Sequence, residues 1–126
     1  MFLWKGIDML ASTGEIKIHD ILTEYDIPFE EEYSFDDLTT TRGIPLRFDF
    51  AVFTDDGELD FLIEFQGKQH YSPVSKFGGR KGLYRQQYND TQKRRYCQQH
   101  GIKLVSIPYF DEGNISYDYI MRAAGY

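Results

Sequence analysis

The chain has 126 residues, a formal net charge of −6 at pH 7, 41% hydrophobic and 17% aromatic side chains. This length fits one domain over residues 1–126 with a single core, and the composition excludes a disordered chain. One cysteine, Cys97, excludes an internal disulfide framework and a cysteine-based zinc cluster. No signal-peptide pattern opens the sequence and no apolar run is long enough for a bilayer, so a cytoplasmic protein is expected, with no membrane partner.

Charge is divided unevenly along the chain. Residues 1–64 hold 16 acidic and 4 basic side chains, whereas residues 65–126 hold 4 acidic and 10 basic ones. Seven of those ten basic side chains lie between residues 76 and 95, a stretch in which Asp90 is the only acid. Such a block is typical of a nucleic-acid-binding surface. A solvated helix face that balances the acidic half explains it equally well.

The first predicted element is a helix over about residues 13–25. Residues 1–10 are a short apolar segment before it. Ser12 and Glu15 have the spacing of a capping box, and Pro28 ends the pattern. The residues at helical spacing are Ile18, Ile21, Leu22 and Tyr25. Glu15 lies on the same stripe as Ile18 and is therefore expected to face inward, although capping alone accounts for it.

An outer strand over residues 29–35 follows, with the three glutamates at 30–32 mostly in solvent, and then a loop over residues 36–43. Two runs rich in Phe, Val and Ile, residues 46–54 and 59–66, next predict a hairpin. The Asp56-Gly57 pair between them is a typical turn signal. A turn centred there sets Thr54 opposite Leu59.

The same register sets Asp49 opposite Glu64, with their Cβ atoms roughly 4.5–5.5 Å apart. Two carboxylates so close repel each other unless a proton or a cation lies between them. Carboxylate oxygens suit a hard ion such as Mg²⁺. The alternative is a structural salt bridge, for which Arg47, opposite Gln66, is the obvious partner.

The second half of the chain predicts a loop, a helix, a strand and a helix: residues 67–79, 83–100, 102–107 and 115–124. Gly101 has the position of a helix-ending glycine. The complete order is α-β-β-β-α-β-α. This order predicts an α/β (α+β) fold with a mixed sheet flanked by helices.

Four polar residues after the hairpin could add chemistry. Gln66 shares a strand face with Glu64 and could position a water molecule or a phosphate oxygen. His70, in the following loop, could be a general base or merely exposed. Asp90 and Lys93 lie one helical turn apart, so they could form an ion pair; alternatively, Asp90 orients His70 while Lys93 contacts a phosphate.

Three tyrosines of the long helix alternate with basic residues, as in some nucleic-acid-binding proteins, but their spacing favours core packing. These are Tyr84, Tyr88 and Tyr96. The other two histidines, His19 and His100, fit structural roles, His100 as a charge near a helix end.

Taken together, these residues resemble the restriction-endonuclease-like nucleases, the PD-(D/E)XK superfamily. The resemblance covers about residues 12–108 and is greatest to the branch that includes very-short-patch repair endonucleases and small phage homing-type endonucleases. It rests on an inward Glu on the first helix, Asp on one hairpin strand, and Glu-x-Gln-Gly-x-x-His, Asp-x-x-Lys and a glycine before a buried strand. In this chain those residues are Glu15, Asp49, Glu64, Gln66, Gly67, His70, Asp90, Lys93 and Gly101.

The resemblance implies a restriction-endonuclease-like core and roles for single residues. Asp49, Glu64 and the backbone carbonyl of Phe65 would bind Mg²⁺, with Mn²⁺ as a substitute, and Glu15 would reach the metal or its water. Gln66 would occupy the position of the usual catalytic lysine. His70 would match the family histidine, supported by Asp90. The chain departs from the pattern at Gln66 and also at Phe48, where the family often has proline.

The expected function is therefore a Mg²⁺-dependent DNA endonuclease of phage or mobile-element origin. Lys93 or Lys68 would stabilise charge on the scissile phosphate, and Arg80, Lys81 and Arg85 would grip the DNA backbone. Cleavage of both strands would need a homo-oligomer, whereas a monomer would nick. The alternatives are a structure-selective junction resolvase and a non-catalytic nucleic-acid-binding protein with the same fold.

Overall fold

The computed structural model describes residues 12–126, so the predicted apolar segment over residues 1–10 lies outside the described part. The helices and strands follow one another as α1 (Thr13–Glu24), β1 (Phe29–Thr39), β2 (Pro45–Phe53), β3 (Leu59–Gln66), α2 (Gly79–His100), β4 (Lys103–Pro108) and α3 (Tyr117–Ala123). Short 3₁₀ turns span Lys68–His70, Ser75–Phe77 and Tyr109–Asn114. The predicted order of helices and strands is confirmed.

The four strands form one mixed sheet in the order β1-β2-β3-β4. β1 and β2 are antiparallel, β2 and β3 are antiparallel, and β4 is parallel to β3. A parallel neighbour needs a crossover connection, and α2 provides it. The chain is therefore a mixed α/β domain, as its sequence predicts. Within residues 12–126, no helix has the length and apolarity needed to cross a membrane.

Helices cover the sheet on both faces. On one face Phe50 and Ile63 pack with Ile18 of α1 and Ile120 of α3. On the other face the core includes Cys97 of α2 and sheet residues such as Ala51 and Leu62. Successive strand residues point to opposite faces of the sheet, so neighbouring apolar residues in β2 and β3 pack in two different cores.

The start of α1 is the predicted capping box. The Ser12 side chain accepts a hydrogen bond from the Glu15 N–H, and Glu15 Oε1 accepts one from the Ser12 N–H at 3.2 Å. Glu15 is also buried, so capping and an inward orientation occur together. The prediction of a first helix beginning at residue 13 is confirmed, and it ends at Glu24.

Gly14, next to this cap, lets α1 approach β3 closely. A Cβ atom at residue 14 would lie 2.3 Å from ring carbons of Phe65, which is itself buried. We expect Gly14→Ala to lower the free energy of unfolding by about 1–3 kcal/mol, because the added methyl group overpacks this contact. Gly113→Ala is the matched control, since its Cβ would meet nothing within 4 Å. Equal urea midpoints for the two variants would contradict this packing.

The turn of the central hairpin differs from its prediction. Gly57 N–H donates to Thr54 O, and Thr54 N–H donates to Glu58 O, so Asp55 and Asp56 are the central turn residues and Gly57 follows with φ +85°. Thr54 therefore faces Glu58 and not Leu59. A type I turn followed by a left-handed glycine takes three residues, which shifts the pairing near the turn by one.

A β-bulge then restores the predicted register. Phe53 pairs with Leu59, but Val52 pairs with Phe61, so Asp60 is an extra residue on β3. Beyond it Phe50 pairs with Ile63. The three-residue turn and the bulge therefore offset each other. Beyond the bulge, the register of β2 and β3 is the one that a turn centred on Asp56-Gly57 predicts.

β1 is longer and its acidic part is less exposed than predicted. The strand continues through Thr39, into the segment that was predicted to be a loop. Glu31 and Glu32 are half-buried, so the prediction that they lie mostly in solvent was wrong for both. Residues of α1 lie beside both side chains: His19 Nε2 is 3.9 Å from Glu31 Oε1, and a Glu15 oxygen lies within 4.8 Å of Glu32.

The second half shows smaller corrections. α2 begins at Gly79, four residues before the predicted start, after a turn in which Gly78 takes φ +92°. Gly101 ends α2 with φ +65°, as predicted for this position. Tyr84 and Tyr88 are 62% and 55% exposed, so the prediction of core packing was wrong for these two. Tyr96 is half-buried, and its hydroxyl donates to Asp37 Oδ1 at 2.7 Å.

Candidate active site

Asp49 and Glu64 lie side by side where the β2–β3 ladder ends. The Phe65 N–H donates to Asp49 Oδ2 at 2.7 Å, and the Asp49 N–H donates to Glu64 Oε2 at 3.2 Å. Each carboxylate therefore binds the backbone of the opposite strand, directly after the Phe50–Ile63 pair. These crossed hydrogen bonds hold the two acids in a defined arrangement. They also orient the Phe65 N–H toward Asp49.

The chain is irregular at Asp49. Phe48 and Phe50 belong to opposite cores, although strand residues two apart normally share a face. On the neighbouring strand, Glu32 lies between the pairs Glu31–Phe50 and Tyr33–Phe48 and has φ +53°. A left-handed non-glycine residue is uncommon, and such strain is concentrated at functional sites.

This irregularity brings a third and a fourth carboxylate into the site. Oxygens of Glu15, Glu32 and Asp49 all lie within 4.8 Å of one another. A group of this kind has the hard oxygen ligands that Mg²⁺ prefers. Glu15 was expected here, whereas Glu32 was missed. The only sequence signal for Glu32 is its place opposite Asp49 in the β1–β2 register, and that register was not predicted.

Glu64 is not part of this three-residue group and is bound by a lysine. The Lys93 Nζ lies 2.5 Å from Glu64 Oε1, and both side chains are buried. The ammonium also lies 5.3 Å from the centre of the Phe48 ring. The alternative that Arg47 neutralises the acids is wrong, because Arg47 is exposed and lies opposite Ser34 on β1.

Cys97 lies near this ion pair, and both of its charges affect the pKa of the Cys97 thiol. Burial raises the pKa of the Cys97 thiol to about 11; the Glu64 carboxylate contributes to the rise and Lys93 opposes it. We therefore expect native Cys97 at pH 8 to react with a thiol reagent about a hundredfold more slowly than an exposed cysteine, since the thiolate is the reactive form. The rate should rise with pH up to about 11. Reaction as fast as in urea-unfolded protein would contradict the burial.

His70 is oriented by Asp90, as the second of the two interpretations of this part of the sequence predicts, whereas the phosphate contact that it assigns to Lys93 stays a prediction. The His70 Nδ1 lies 2.8 Å from Asp90 Oδ2, and Gln86 Nε2 donates to Asp90 Oδ1 at 3.2 Å. His70 and Asp90 side chains are each only 9% exposed. The first interpretation, an Asp90–Lys93 ion pair, is wrong, because Lys93 instead binds Glu64.

Gln66 ends β3 and is bound by a residue that sequence reasoning missed. The Tyr71 hydroxyl donates to Gln66 Oε1 at 2.8 Å. The two residues line an open cleft of about 300 Å³ together with His70, Asp90 and Arg94. Tyr71 carries no motif of its own, and only the 3₁₀ turn at Lys68–His70 brings its hydroxyl back to the strand.

The four residues predicted to bind DNA are all exposed: Lys68, Arg80, Lys81 and Arg85. Arg85 and the exposed Tyr88 also line a groove of about 400 Å³ between α2 and the β1–β2 turn. Arg42 and Ile44 of that turn form the opposite side. The N-terminal half of α2 therefore presents cations and aromatic rings to solvent.

Comparison with known proteins identifies viral relatives but does not assign the chain to a protein family. The chain is 53% identical over 53 residues to uncharacterized protein 094L of Frog virus 3, a match covering 40% of this chain and 34% of that protein. It is 33% identical over 70 residues to uncharacterized protein 307L of Invertebrate iridescent virus 6, covering 55% and 36%. It is 42% identical over 100 residues to uncharacterized protein 033L of Invertebrate iridescent virus 3, covering 78% and 50%.

The matches therefore span between a third and a half of the relatives' own lengths. No protein-family model matches the chain. No solved structure matches it either.

Proposed function

We propose that this protein is a metal-dependent DNA endonuclease with a restriction-endonuclease-like core, which hydrolyses phosphodiester bonds. The observation that carries the proposal is the crossed pair of Asp49 and Glu64. Their carboxylates are adjacent at the end of a central hairpin, and Glu15 reaches the same place from α1. The resemblance to PD-(D/E)XK nucleases implies that these three residues lie at the metal, and their positions support the proposal.

The donor set fits Mg²⁺. Asp49, Glu15 and Glu32 offer three carboxylate oxygens within 4.8 Å of one another. Glu64 accepts from the Asp49 N–H, and the Phe65 N–H donates to Asp49, so both residues are next to Asp49 although neither belongs to this group. Bound there, Mg²⁺ or Mn²⁺ would polarise a phosphate oxygen and lower the pKa of a water molecule. Lys93 holds Glu64 in place through its buried ion pair.

Other residues would position or deprotonate the attacking water and bind the phosphate groups of the DNA. His70, fixed through Nδ1 by Asp90, has Nε2 as its remaining ring nitrogen, which can position or deprotonate the attacking water. Gln66 would contact the phosphate. Lys68, Arg80, Lys81 and Arg85 would bind the DNA backbone, and their contribution to affinity would fall as salt rises.

The relatives are proteins of a frog virus and of two invertebrate iridescent viruses, which supports a virus-encoded protein. In place of a phage origin, we propose an origin in a virus of this kind and action inside the host cell. We propose that it nicks DNA as a monomer and cuts both strands only as a homo-oligomer.

A second candidate is a non-catalytic nucleic-acid-binding protein with the same fold. Lys93 favours it, because a lysine that is buried against Glu64 is not exposed to a substrate. The exposed cations and tyrosines of α2 would serve either function.

Nicking of supercoiled plasmid, with and without Mg²⁺, tests the proposal. Wild type should nick only with the metal, and Glu64→Ala should not. If both proteins are inert with Mg²⁺ and Mn²⁺ on duplex, branched and single-stranded DNA, catalysis is excluded. Salt-sensitive DNA binding by both would then establish the binding protein, and cleavage confined to branched DNA would identify a junction resolvase.

A further inference from the structure

The hydrogen bond between Tyr71 and Gln66 determines which atom of the Gln66 amide faces the cleft. We propose that Tyr71 is a positioning residue that orients this amide so that its Nε2 donates to the phosphate of the bound DNA. The inference rests on the proposed function and deepens it. It assigns the phosphate contact to Gln66 and the orientation of Gln66 to Tyr71.

The geometry of the amide carries the first step. The Tyr71 hydroxyl donates to Gln66 Oε1 at 2.8 Å. A primary amide has its acceptor oxygen and its two N–H donors on opposite sides. With Oε1 held by the phenol, the donors are directed away from it, and Gln66 lines the same cleft as His70 and Arg94.

Tyr71 is suited to be a fixed donor. Its ring packs against Tyr109 and Phe110, with ring centres 5.6 Å and 5.8 Å away. Its pKa is raised, first by burial and then by Asp90, so the phenol keeps its proton at neutral pH. Although Tyr71 is 43% exposed, a protonated hydroxyl on a ring that packs against two others favours the amide orientation in which Oε1 accepts.

The neighbouring cations explain why the amide is needed. The Lys93 ammonium is engaged by Glu64 and packed over Phe48, and it is buried. Arg94 is exposed and lines the cleft, but its Nη2 donates to Thr91 Oγ1 at 3.2 Å on the same helix, so part of its guanidinium is already engaged. A short, oriented N–H donor at the end of β3 can be positioned more precisely than the end of this long, exposed side chain.

The test is a double-mutant cycle in Mg²⁺-dependent cleavage of a duplex under single-turnover conditions. Tyr71→Phe should lower the rate about tenfold, the effect of losing one oriented hydrogen bond, while the Kd for DNA without metal changes less than twofold. In a Gln66→Lys background the same change should have less than a twofold effect, because an ammonium needs no orientation. Equal effects of Tyr71→Phe in both backgrounds, or none in wild type, would overturn the inference.

Tyr126→Phe is the matched control. It also removes a hydrogen bond donated by a phenol, here from the exposed Tyr126 to the carboxylate oxygen Oδ2 of Asp60 at 2.6 Å, and Tyr126 does not line the cleft. Its cleavage rate should equal that of wild type. A loss as large as that of Tyr71→Phe would show a general effect of removing a phenol and would overturn the positioning role.

A second measurement does not depend on cleavage. The ¹⁵N–¹H signals of the Gln66 side-chain amide should shift when a duplex DNA dodecamer is added to metal-free wild type, and the shift should be at least halved in Tyr71→Phe. If wild type cleaves nothing, the proposed function fails, and this titration alone decides the inference. An unmoved Gln66 amide in wild type would overturn it.

Discussion

Asp49→Asn is expected to abolish metal-dependent cleavage, with the single-turnover rate falling on the order of 10²–10³-fold. The asparagine can still accept the hydrogen bond from the Phe65 N–H, so the local fold should persist. What is lost is one negative charge beside Glu15 and Glu32, and with it the affinity for a hard cation. Rates over a range of Mg²⁺ concentrations would measure the loss.

The turn residue Asp55 provides the control for this charge change. It is exposed at the end of the hairpin, so Asp55→Asn should cleave like wild type. Urea unfolding of both variants would show whether stability changed. Full activity of Asp49→Asn with normal Mg²⁺ dependence would remove Asp49 from the site and would contradict the proposed metal ligands.

Lys93→Ala is expected to be the most destabilising single change at the site, at about 3–5 kcal/mol. The reason is not the strength of the ion pair itself. Removing Lys93 leaves the Glu64 carboxylate buried, and an uncompensated buried charge is costly. Urea or thermal unfolding measures the effect directly.

Lys81→Ala on the same helix is the matched control. Lys81 is exposed, so its removal should change stability by less than about 0.5 kcal/mol. The double variant Glu64→Ala/Lys93→Ala should lose less than the sum of the two single variants, because neither charge is then left alone. Additive losses would show that the two side chains do not stabilise each other.

Cleavage by Lys93→Ala, measured below its unfolding midpoint, addresses its second predicted role. A rate equal to that of wild type would leave Lys93 as a structural partner of Glu64 and remove it from contact with phosphate. A lower rate with unchanged DNA affinity would support a contribution to the chemistry.

Much of the architecture is readable in the sequence because it depends on local patterns. The capping box of Ser12 and Glu15 forms as predicted, since its hydrogen bonds connect residues three apart. Gly101 ends α2 because a left-handed residue is required there. The apolar hairpin and the order of elements follow from periodicity over a few residues.

The register between β2 and β3 was harder to predict than the positions of the strands and helices themselves. The turn at Asp55-Asp56 and the bulge at Asp60 each shift the pairing by one residue, in opposite senses. Without the bulge, Asp49 would face Ile63, and the two acids would not meet. Alternating side chains make a strand sensitive to a one-residue slip. The correct neighbour for Asp49 therefore depended on two features that the sequence did not reveal.

The types and order of the elements, the inward Glu15 and the candidate acids on the hairpin could be predicted, because these features follow from spacing along one or two segments. The tertiary structure decided the partners: Lys93 with Glu64, Asp90 with His70, Glu32 with Asp49, and Tyr71 with Gln66. A partner across elements depends on how a helix packs on a sheet and where a strand is irregular. Those are properties of the packed chain, and no local pattern encodes them.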